Sequence, residues 1–479
     1  MRLRPYQQDI VEKLLASTAL SRCIQSPTGS GKSVLIAHSA ANADSYVAIA
    51  HREYLVDQLA EIMPDAQVIK AGVQWDRKSR KIIGMVQTLC RRDPEDLPKE
   101  IAQIIIDEHH HSTCDSYKRV IGYWSDATID GYTGTPIRGD GTNLGDVSDE
   151  LICGPQYREL IDDGYLKPFE VYSIPHGLKA ADCKLTKKDY TVASQNDAIR
   201  RSTIFGDVVD HWRRFGRDGG HISFWPSVSA AEHACEGIKG WEPVHSKMPK
   251  DVVMGRIAAL EAGTLDSLAS CDLIGEGLNV RGIASVSRCR MTKSLGLYMQ
   301  QCGRCNRGGE GVARVISHVD DWRVHHHGLP DDDREWSLEG RVKRRATPGM
   351  LSVWDCPACL AVCRSQAHAC WKCGLEKPRE IILMEERQAE LQLIKSMPIS
   401  EIHEHCTSGP DYVAFAEARG KKPSFGVLRY WQSKNHVAVD HPLADIMNQK
   451  PTLREFIVAA KDCGVSSHYA EEAGKKMQL

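Results

Sequence analysis

Apolar residues in this chain fall in short runs that end at glycine or acidic punctuation. IAQIII (101–106) is apolar at almost every position and stops at an Asp-Glu pair. A strand covered on both faces gives that pattern, so it reads as a buried parallel strand with two acids at its C-terminal end. SRCIQ (21–25) is a shorter apolar strand that enters a Gly-rich turn, and KSVLIAHSAA (32–41) continues with helical character. HISFWPSVSAAEHA (221–234) reads as strand then helix, and ILMEERQAELQLIKSM (382–397) has helical periodicity. FAEARGKKPSFGVLRYW (415–431) mixes basic and aromatic residues. It reads first as a small helical bundle with Phe, Leu and Trp inside, and second as a nucleic-acid or partner surface. No run of 18 apolar residues occurs, so no membrane span is expected.

Composition narrows the class. At 479 residues the chain exceeds what one core can bury, so two to four domains are expected. Its net charge of -2 argues against a uniformly basic nucleic-acid coat but leaves room for a local basic groove. Seventeen cysteines with no apolar signal segment at MRLRPYQQDI point to a reducing cytoplasm with some metal-bound thiols.

The chemistry starts at SPTGSGKS (26–33), between the strand and the helix. Gly29 and Gly31 let the backbone approach phosphates, with Thr28 and Ser30 in the same loop. Lys32 reaches the β and γ phosphates, and the Ser33 hydroxyl ligates Mg²⁺. Ser26 stands where the general pattern has its first glycine. Asp107 and Glu108 end a second strand, where an α/β sheet binds ligands. Asp107 holds Mg²⁺ there, and Glu108 orients and deprotonates an attacking water. The triplet His109–His111 does not suit a metal site, because three adjacent residues cannot face one way. His110 couples nucleotide state to a second lobe, and His109 and His111 need no special role. A second triplet, His325–His327, reads as a solvated turn.

In this context the chain resembles helicase superfamily two, the DEAD/DEAH-box-like motors, over roughly its first two thirds. LRPYQ (3–7) resembles the adenine-reading motif, with Gln7 on the base edge and Arg4 flanking it. AHREYLVDQ (50–58) and VQTL (86–89) resemble strand-gripping motifs, which implies nucleic-acid contacts for His51, Arg52, Gln87 and Thr88. TGTP (133–136) resembles the coupling motif, through Thr133 and Thr135. HISFWPSVSAAEHA includes Ser227 in the fourth motif, and GEGLNV (275–280) places Gly277 at the nucleotide. QQCGRCNR (300–307) fits Q-x-x-G-R-x-x-R, with Gln300 sensing the γ-phosphate and Arg304 and Arg307 as arginine fingers. AHREYLVDQ, GYTGTPIRGDG, LYMQQCGRCNR and HHGLPDDDREWSLEG resemble RadD-type DNA-repair helicases and their phage or prophage relatives. The resemblance implies α/β architecture, with two tandem RecA-like lobes of parallel sheets. It also implies ATP and Mg²⁺ as ligands.

Two cysteine clusters differ. CGRC (302–305) has the spacing of a redox dithiol, but the arginine motif already accounts for it. CPACLAVCRSQAHACWKC (356–373) pairs Cys356 with Cys359 and Cys370 with Cys373, a four-thiolate set for structural Zn²⁺. Cys363 and His368 are spare candidates. The domains read as a first lobe at 1–147, a connector at 148–204 and a second lobe at 205–325. A charged linker (326–352), a zinc module (353–376) and a helical region (377–479) follow.

The expected function is an ATP-dependent helicase or translocase, on DNA rather than RNA, in repair, recombination or phage replication. Repair or replication proteins are expected partners, and no membrane is. The alternatives are an ATP-driven remodelling factor that does not unwind, an RNA helicase, and a restriction-complex motor. A metal or redox enzyme stands last.

Overall fold

The computed structural model describes residues 2–379, except 71, 73, 74, 138–142, 188, 275–279, 340–342 and 345–352. Further on it describes 381, 409–418, 423–424, 427–428, 442–449, 451–463, 465, 470–471, 473 and 475. The chain divides into Met1–Leu375 and Glu376–Leu479.

The first unit contains two parallel sheets. Seven strands build the first: β1 (Ser21–Gln25), β2 (Tyr46–Ala50), β3 (Gln67–Ile69), β4 (Lys81–Met85), β5 (Gln103–Asp107), β6 (Thr128–Thr133) and β7 (Glu150–Cys153). Their order is β3-β4-β2-β5-β6-β1-β7. Every neighbour pair is parallel. Alternation then sorts side chains between two helical layers. Ala48 and Ala50 of β2 and Ile105 of β5 face the helices Pro5–Ala16, Lys32–Ala41 and Glu53–Ile62. Val47, Ile49, Ile104 and Ile106 face Leu89, Tyr117 and Trp124 on the other side. The apolar run before the acids is therefore β5, a buried central strand.

Six strands build the second sheet: β8 (Phe169–Leu178), β9 (Gly220–Phe224), β10 (Trp241–His245), β11 (Ser267–Cys271), β12 (Ile283–Arg288) and β13 (Ala313–Val319). They run β10-β11-β9-β12-β13-β8, again all parallel. The α/β class with two parallel-sheet lobes thus matches the sequence reading. Residues 148–204, read as a connector, are instead shared out: β7 completes the first sheet and β8 edges the second.

Two further sequence readings need correction. The second histidine triplet is no solvated turn. His327 is buried, stacks on Tyr298 with centroids 5.2 Å apart, and has Nε2 3.2 Å from the Thr292 carbonyl oxygen. His325 Nε2 lies 2.7 Å from the Tyr190 hydroxyl, and only His326 is exposed, at a φ of 54°. The charged stretch after it is not a plain linker either. β14 (Arg334–Glu335) and β15 (Lys343–Arg344) pair antiparallel. Arg334 is 2% exposed, and its guanidinium donates to the carbonyl oxygens of His327, Leu329, Pro330 and Asp332. Contacts of this kind are invisible in a string of charges.

A last hairpin, β16 (Val353–Asp355) with β17 (Val362–Arg364), carries the cysteine knuckles. In the second unit, helices Gly409–Ala418, Pro442–Asn448 and Leu453–Asp462 supply a core of Tyr412, Phe415, Leu443, Met447 and Phe456, joined by Leu428 from between the first two. That agrees with the helical-bundle reading. Residues 382–397 and Trp431 lie outside the described residues. Among the described residues no helix is long and apolar enough to cross a membrane.

Buried histidines make the fold acid-sensitive. Burial holds His109, His221 and His327 down at about 3, so they stay neutral while the unfolded chain protonates near 6.5. Their stabilisation is complete above pH 6.5 and is lost as pH falls toward 3. At pH 5.5 each withholds about 1.4 kcal/mol, so urea unfolding at pH 5.5 should show roughly 4 kcal/mol less stability than at pH 7.5. His221→Asn should remove about a third of that difference; an unchanged slope would contradict this account.

Candidate active site

Strand order builds the site. β5, β6 and β1 are neighbours and parallel, so their C-terminal ends open side by side. β1 leads into the phosphate loop, and Gly29 and Gly31 take φ values of 91° and 86°, which a Cβ disfavours. Gly31 caps the helix Lys32–Ala41, whose N-terminus presents N–H groups to an anion. Ser26 needs no glycine, because its φ is not positive. Its hydroxyl lies 2.6 Å from that of Ser30, a tie across the loop.

β5 delivers the two acids. Burial and the neighbouring Glu108 push Asp107 up to about 6, against the pull of Lys32. Glu108 adopts a left-handed φ of 51°, a strained conformation for a non-glycine residue and one that clusters at functional sites. His110 Nδ1 sits 3.0 Å from Thr133 Oγ1 and 3.4 Å from Glu108 Oε2. Thr133 Oγ1 in turn donates to the Thr135 carbonyl and accepts the Thr135 N–H. A Cβ on Gly134 would stand 3.3 Å from Lys32 Nζ and 3.1 Å from Thr28 Oγ1. Lys32, Thr28, the two acids and the Thr133–Thr135 turn therefore meet. His109 is structural: it is fully buried, with Nε2 2.7 Å from Ser148 Oγ and its ring against Gly131.

The second lobe closes this mouth. The helix Leu295–Cys302 carries Gln300, which is buried, and ends at Gly303. A Cβ on Gly303 would stand 2.8 Å from Thr28 Cβ, and one on Gly29 would meet Asn306 Oδ1 at 3.2 Å and Arg307 Cγ at 3.3 Å. Arg304 is buried in the same turn. Burial and the charge of Arg304 press Arg307 down to about 9, which marks a place that favours an anion. Across the lobes, a Cβ on Gly296 would come within 3.0 Å of Thr135 Oγ1. A buried ion pair fixes the helix. Arg288 Nη2 donates to Asp321 Oδ2 at 2.7 Å, and its Nε donates to Gln301 Oε1 at 3.1 Å.

The base-side residues pack onto the loop. Gln7 Nε2 donates to the Ser30 carbonyl at 3.2 Å, and Gln7 Oε1 accepts the Arg4 N–H at 3.0 Å. The Arg4 guanidinium lies 5.0 Å above the Tyr165 ring. Residues read as strand contacts are less uniform. The His51 ring lies against that of His111, centroids 4.4 Å apart and tilted by 49°, and Gln87 Nε2 donates to the His51 carbonyl at 3.3 Å. Arg52 donates to the Asp272 carbonyl across the lobes at 2.8 Å, in a cleft also lined by Trp225, Arg290 and Gln301. Thr88 is half-buried nearby, one residue on from Gln87. Ser227 is engaged in helix capping: it accepts the Ala230 N–H and donates to Asn196 Oδ1. Gly277 lies outside the described residues.

The four sulfurs of Cys356, Cys359, Cys370 and Cys373 lie within 4.8 Å of one another, and two pairs stand at 3.5 Å. Tetrahedral Zn²⁺ with bonds of about 2.3 Å needs sulfurs about 3.8 Å apart, so the set fits a structural zinc site. The knuckles match: Leu360 and Gly374 both take positive φ and donate N–H to the first cysteine of their pair. Cys363 and His368 are not in the group. Cys302 and Cys305 are fully buried, with burial pushing Cys302 up to about 12 and Cys305 higher still, which does not suit a redox dithiol. Sequence reasoning missed Tyr157, Arg288 and Asp321, since no local pattern marks them.

Two lobes with a phosphate loop, an acidic strand end and an arginine turn across one cleft define a P-loop motor. Comparison with known proteins says which kind. The model "Type III restriction enzyme, res subunit" matches residues 1–138, and "Helicase conserved C-terminal domain" matches 216–309. The chain is 30% identical over 387 residues to the "51.5 kDa protein" of Lactococcus phage (isolate 7-9), covering 78% of this chain and 82% of that one. It is 24% identical over 346 residues to the "Putative ATP-dependent helicase IRC3" of Saccharomyces cerevisiae, covering 63% of this chain and 49% of the yeast protein. In fold it is similar to a fragment of a putative HsdR subunit of a type I restriction enzyme from Vibrio vulnificus. The TM-score is 0.54 at 18% identity, over 71% of this chain and 67% of that one. The chain belongs to the superfamily two helicases and is an ATP-hydrolysing nucleic-acid helicase.

The close packing at Gly303 gives a test. Its φ of −68° tolerates a side chain, so Gly303→Ala should fold yet force the arginine turn off the phosphate loop. Displacement of about 1 Å costs on the order of 10²-fold in rate, so steady-state ATP turnover should fall by that order with little loss of melting temperature. Full turnover would mean the turn is not held where it must act.

Proposed function

We propose that this helicase works on DNA, as a translocase whose ATP site is completed only when the two lobes meet. The observation that carries the reading is the contact of Thr28 and Gly29 with Gly303, Asn306 and Arg307, which brings arginines of one lobe to the phosphate loop of the other. ATP supplies the phosphoanhydride bond that is cut, and Mg²⁺ the charge that neutralises its phosphates. Lys32 holds the β and γ phosphates, with the N–H groups of residues 28–33 around them, and Ser33 and Asp107 hold the metal ion. Glu108 takes the proton of the attacking water. Arg304 and Arg307 offset the charge that develops on the transferred group, an effect of about 10³ to 10⁵ in rate. Gln300 senses the γ-phosphate, and Gln7 with Arg4 reads the base.

Coupling runs from Glu108 through His110 to Thr133 and Thr135, and from Thr135 to Gly296 in the second lobe. His51, Arg52, Gln87, Thr88 and Ser227 border the strand path. The type III restriction family model and the RadD-like stretches favour DNA, and the phage relative favours a bacterial or phage-infected cytoplasm. Repair or replication proteins are the proposed partners, and structural Zn²⁺ sits on the four cysteines.

The decisive measurement is steady-state ATP turnover against single-stranded, duplex and forked DNA and matched RNA. DNA should stimulate turnover, and Glu108→Gln should abolish it by at least about 10²-fold, as removal of a general base does. Stimulation by RNA alone would overturn the choice of DNA. Lys32→Ala should lose turnover, and Arg304→Ala or Arg307→Ala should lose hydrolysis while retaining nucleotide. Elemental analysis should find one zinc per chain, lost in the Cys370→Ser variant.

A further inference from the structure

Tyr157 is the residue that the proposed mechanism leaves without a task. It opens the helix Tyr157–Asp162, between β7 of the first sheet and β8 of the second, and it is buried. Its hydroxyl oxygen accepts the Thr28 N–H at 3.0 Å. Thr28 is the same residue that Gly303 packs against. A buried tyrosine hydroxyl on a phosphate-loop amide is a demanding arrangement, since both polar atoms have left water and each depends on the other.

The neighbour of Tyr157 explains how the hydroxyl is held there. Gln156 caps the helix, and its side-chain amide makes a paired bond with the backbone of Arg334: Nε2 donates to the Arg334 carbonyl at 3.0 Å, and Oε1 accepts the Arg334 N–H at 3.2 Å. Arg334 is the buried residue whose guanidinium gathers the carbonyls of 327–332. That turn is tied outward as well. Arg364 of β17 donates to Asp331 at 3.0 Å and to Asp332 at 2.6 Å. It is tied inward by the Tyr298 hydroxyl, which donates to the Gly328 carbonyl at 2.8 Å from the arginine-bearing helix.

We infer that Tyr157 is a positioning residue of the ATP site, holding the Thr28 end of the phosphate loop through a brace of Gln156 and the 327–334 turn. The inference rests on the ATP-site reading above and adds to it a set of residues outside the loop, the acids and the arginines. Tyr157 touches neither the nucleotide nor the metal ion in this account. It fixes the loop amide, so its loss loosens ATP binding more than it slows the chemical step.

The test is binding of a non-hydrolysable ATP analogue with Mg²⁺ to the full chain, alongside KM and kcat for ATP and the melting temperature. Tyr157→Phe keeps the ring and removes the acceptor. Loss of one buried hydrogen bond corresponds to about 3- to 10-fold, so the analogue Kd and the KM should each rise by that factor, more than kcat falls. Gln156→Ala should raise Kd in the same direction. The double variant should match Tyr157→Phe alone, because the two act along one path. An unchanged or tighter Kd in a Tyr157→Phe protein that melts like wild type would overturn the inference, as would additive effects. Lys32→Ala separates the two readings. If wild type binds the analogue and Lys32→Ala does not, the ATP site stands whatever Tyr157 does; if wild type fails to bind it, both fall.

Discussion

The site depends on a contact between two glycines and the side chains that face them across the lobes. A Cβ on Gly303 would stand 2.8 Å from Thr28 Cβ, and one on Gly29 would stand 3.2 Å from Asn306 Oδ1 and 3.3 Å from Arg307 Cγ. Approach this close favours glycine on each side, and it seats the arginine turn against the phosphate loop. Arginines on flexible stems must be aimed by the segment that carries them. Here that segment is anchored by Arg288 and Asp321, both fully buried. Such a pair is expensive to desolvate and is stabilising only when its remaining groups are satisfied. They are: Arg288 also reaches Gln301 and Ser317 and lies 4.6 Å over the Tyr298 ring, and Asp321 also accepts the Thr292 N–H. Of these, the Gln301 bond and the Tyr298 contact hold the helix Leu295–Cys302 directly.

The first lobe meets this demand through topology. Three adjacent parallel strands end at the same level, so a loop after β1, acids after β5 and threonines after β6 converge without any long side chain reaching for another. The left-handed Glu108 is the local consequence. β5 ends one residue earlier, and the backbone reverses there into the 3₁₀ turn His109–His111. His109 can then bury its ring against Gly131, and His110 can face Thr133. His109 thus turns away from the other two, whose rings lie 4.2 Å apart, and the middle one lies beside the acid.

Much of this was legible because the relevant residues are close in sequence. The phosphate loop, the acidic strand end and the cysteine knuckles are each fewer than twenty residues long, and their chemistry follows from spacing. What was not legible depends on partners far along the chain. Nothing in the string HHHGLPDDDREW says that His327 stacks under Tyr298 or that Arg334 gathers carbonyls, because a buried arginine and a solvated one look the same until the backbone folds around them. Ser227 shows the opposite case. A serine before an apolar run commonly caps a helix, a use readable from sequence alongside the strand contact, and the Ser227 hydroxyl accepts the Ala230 N–H.

The cysteine module gains meaning from where it docks. β8 is the edge strand of the second sheet, and an open edge invites unwanted pairing. The Ser173 N–H of β8 donates to the Leu360 carbonyl in the first knuckle, and Tyr172 bridges to Ala361. The knuckle therefore covers that edge with its own backbone. Leu360 can offer its carbonyl there because it takes the left-handed turn that closes around the Cys356–Cys359 pair. Zinc bound by four thiolates contributes folding free energy directly to such a turn. A structural metal bound by these cysteines would thus stabilise the edge of the lobe that carries the arginines. Through Arg364 and the 327–334 turn, it would also steady the ground on which the arginine-bearing helix rests.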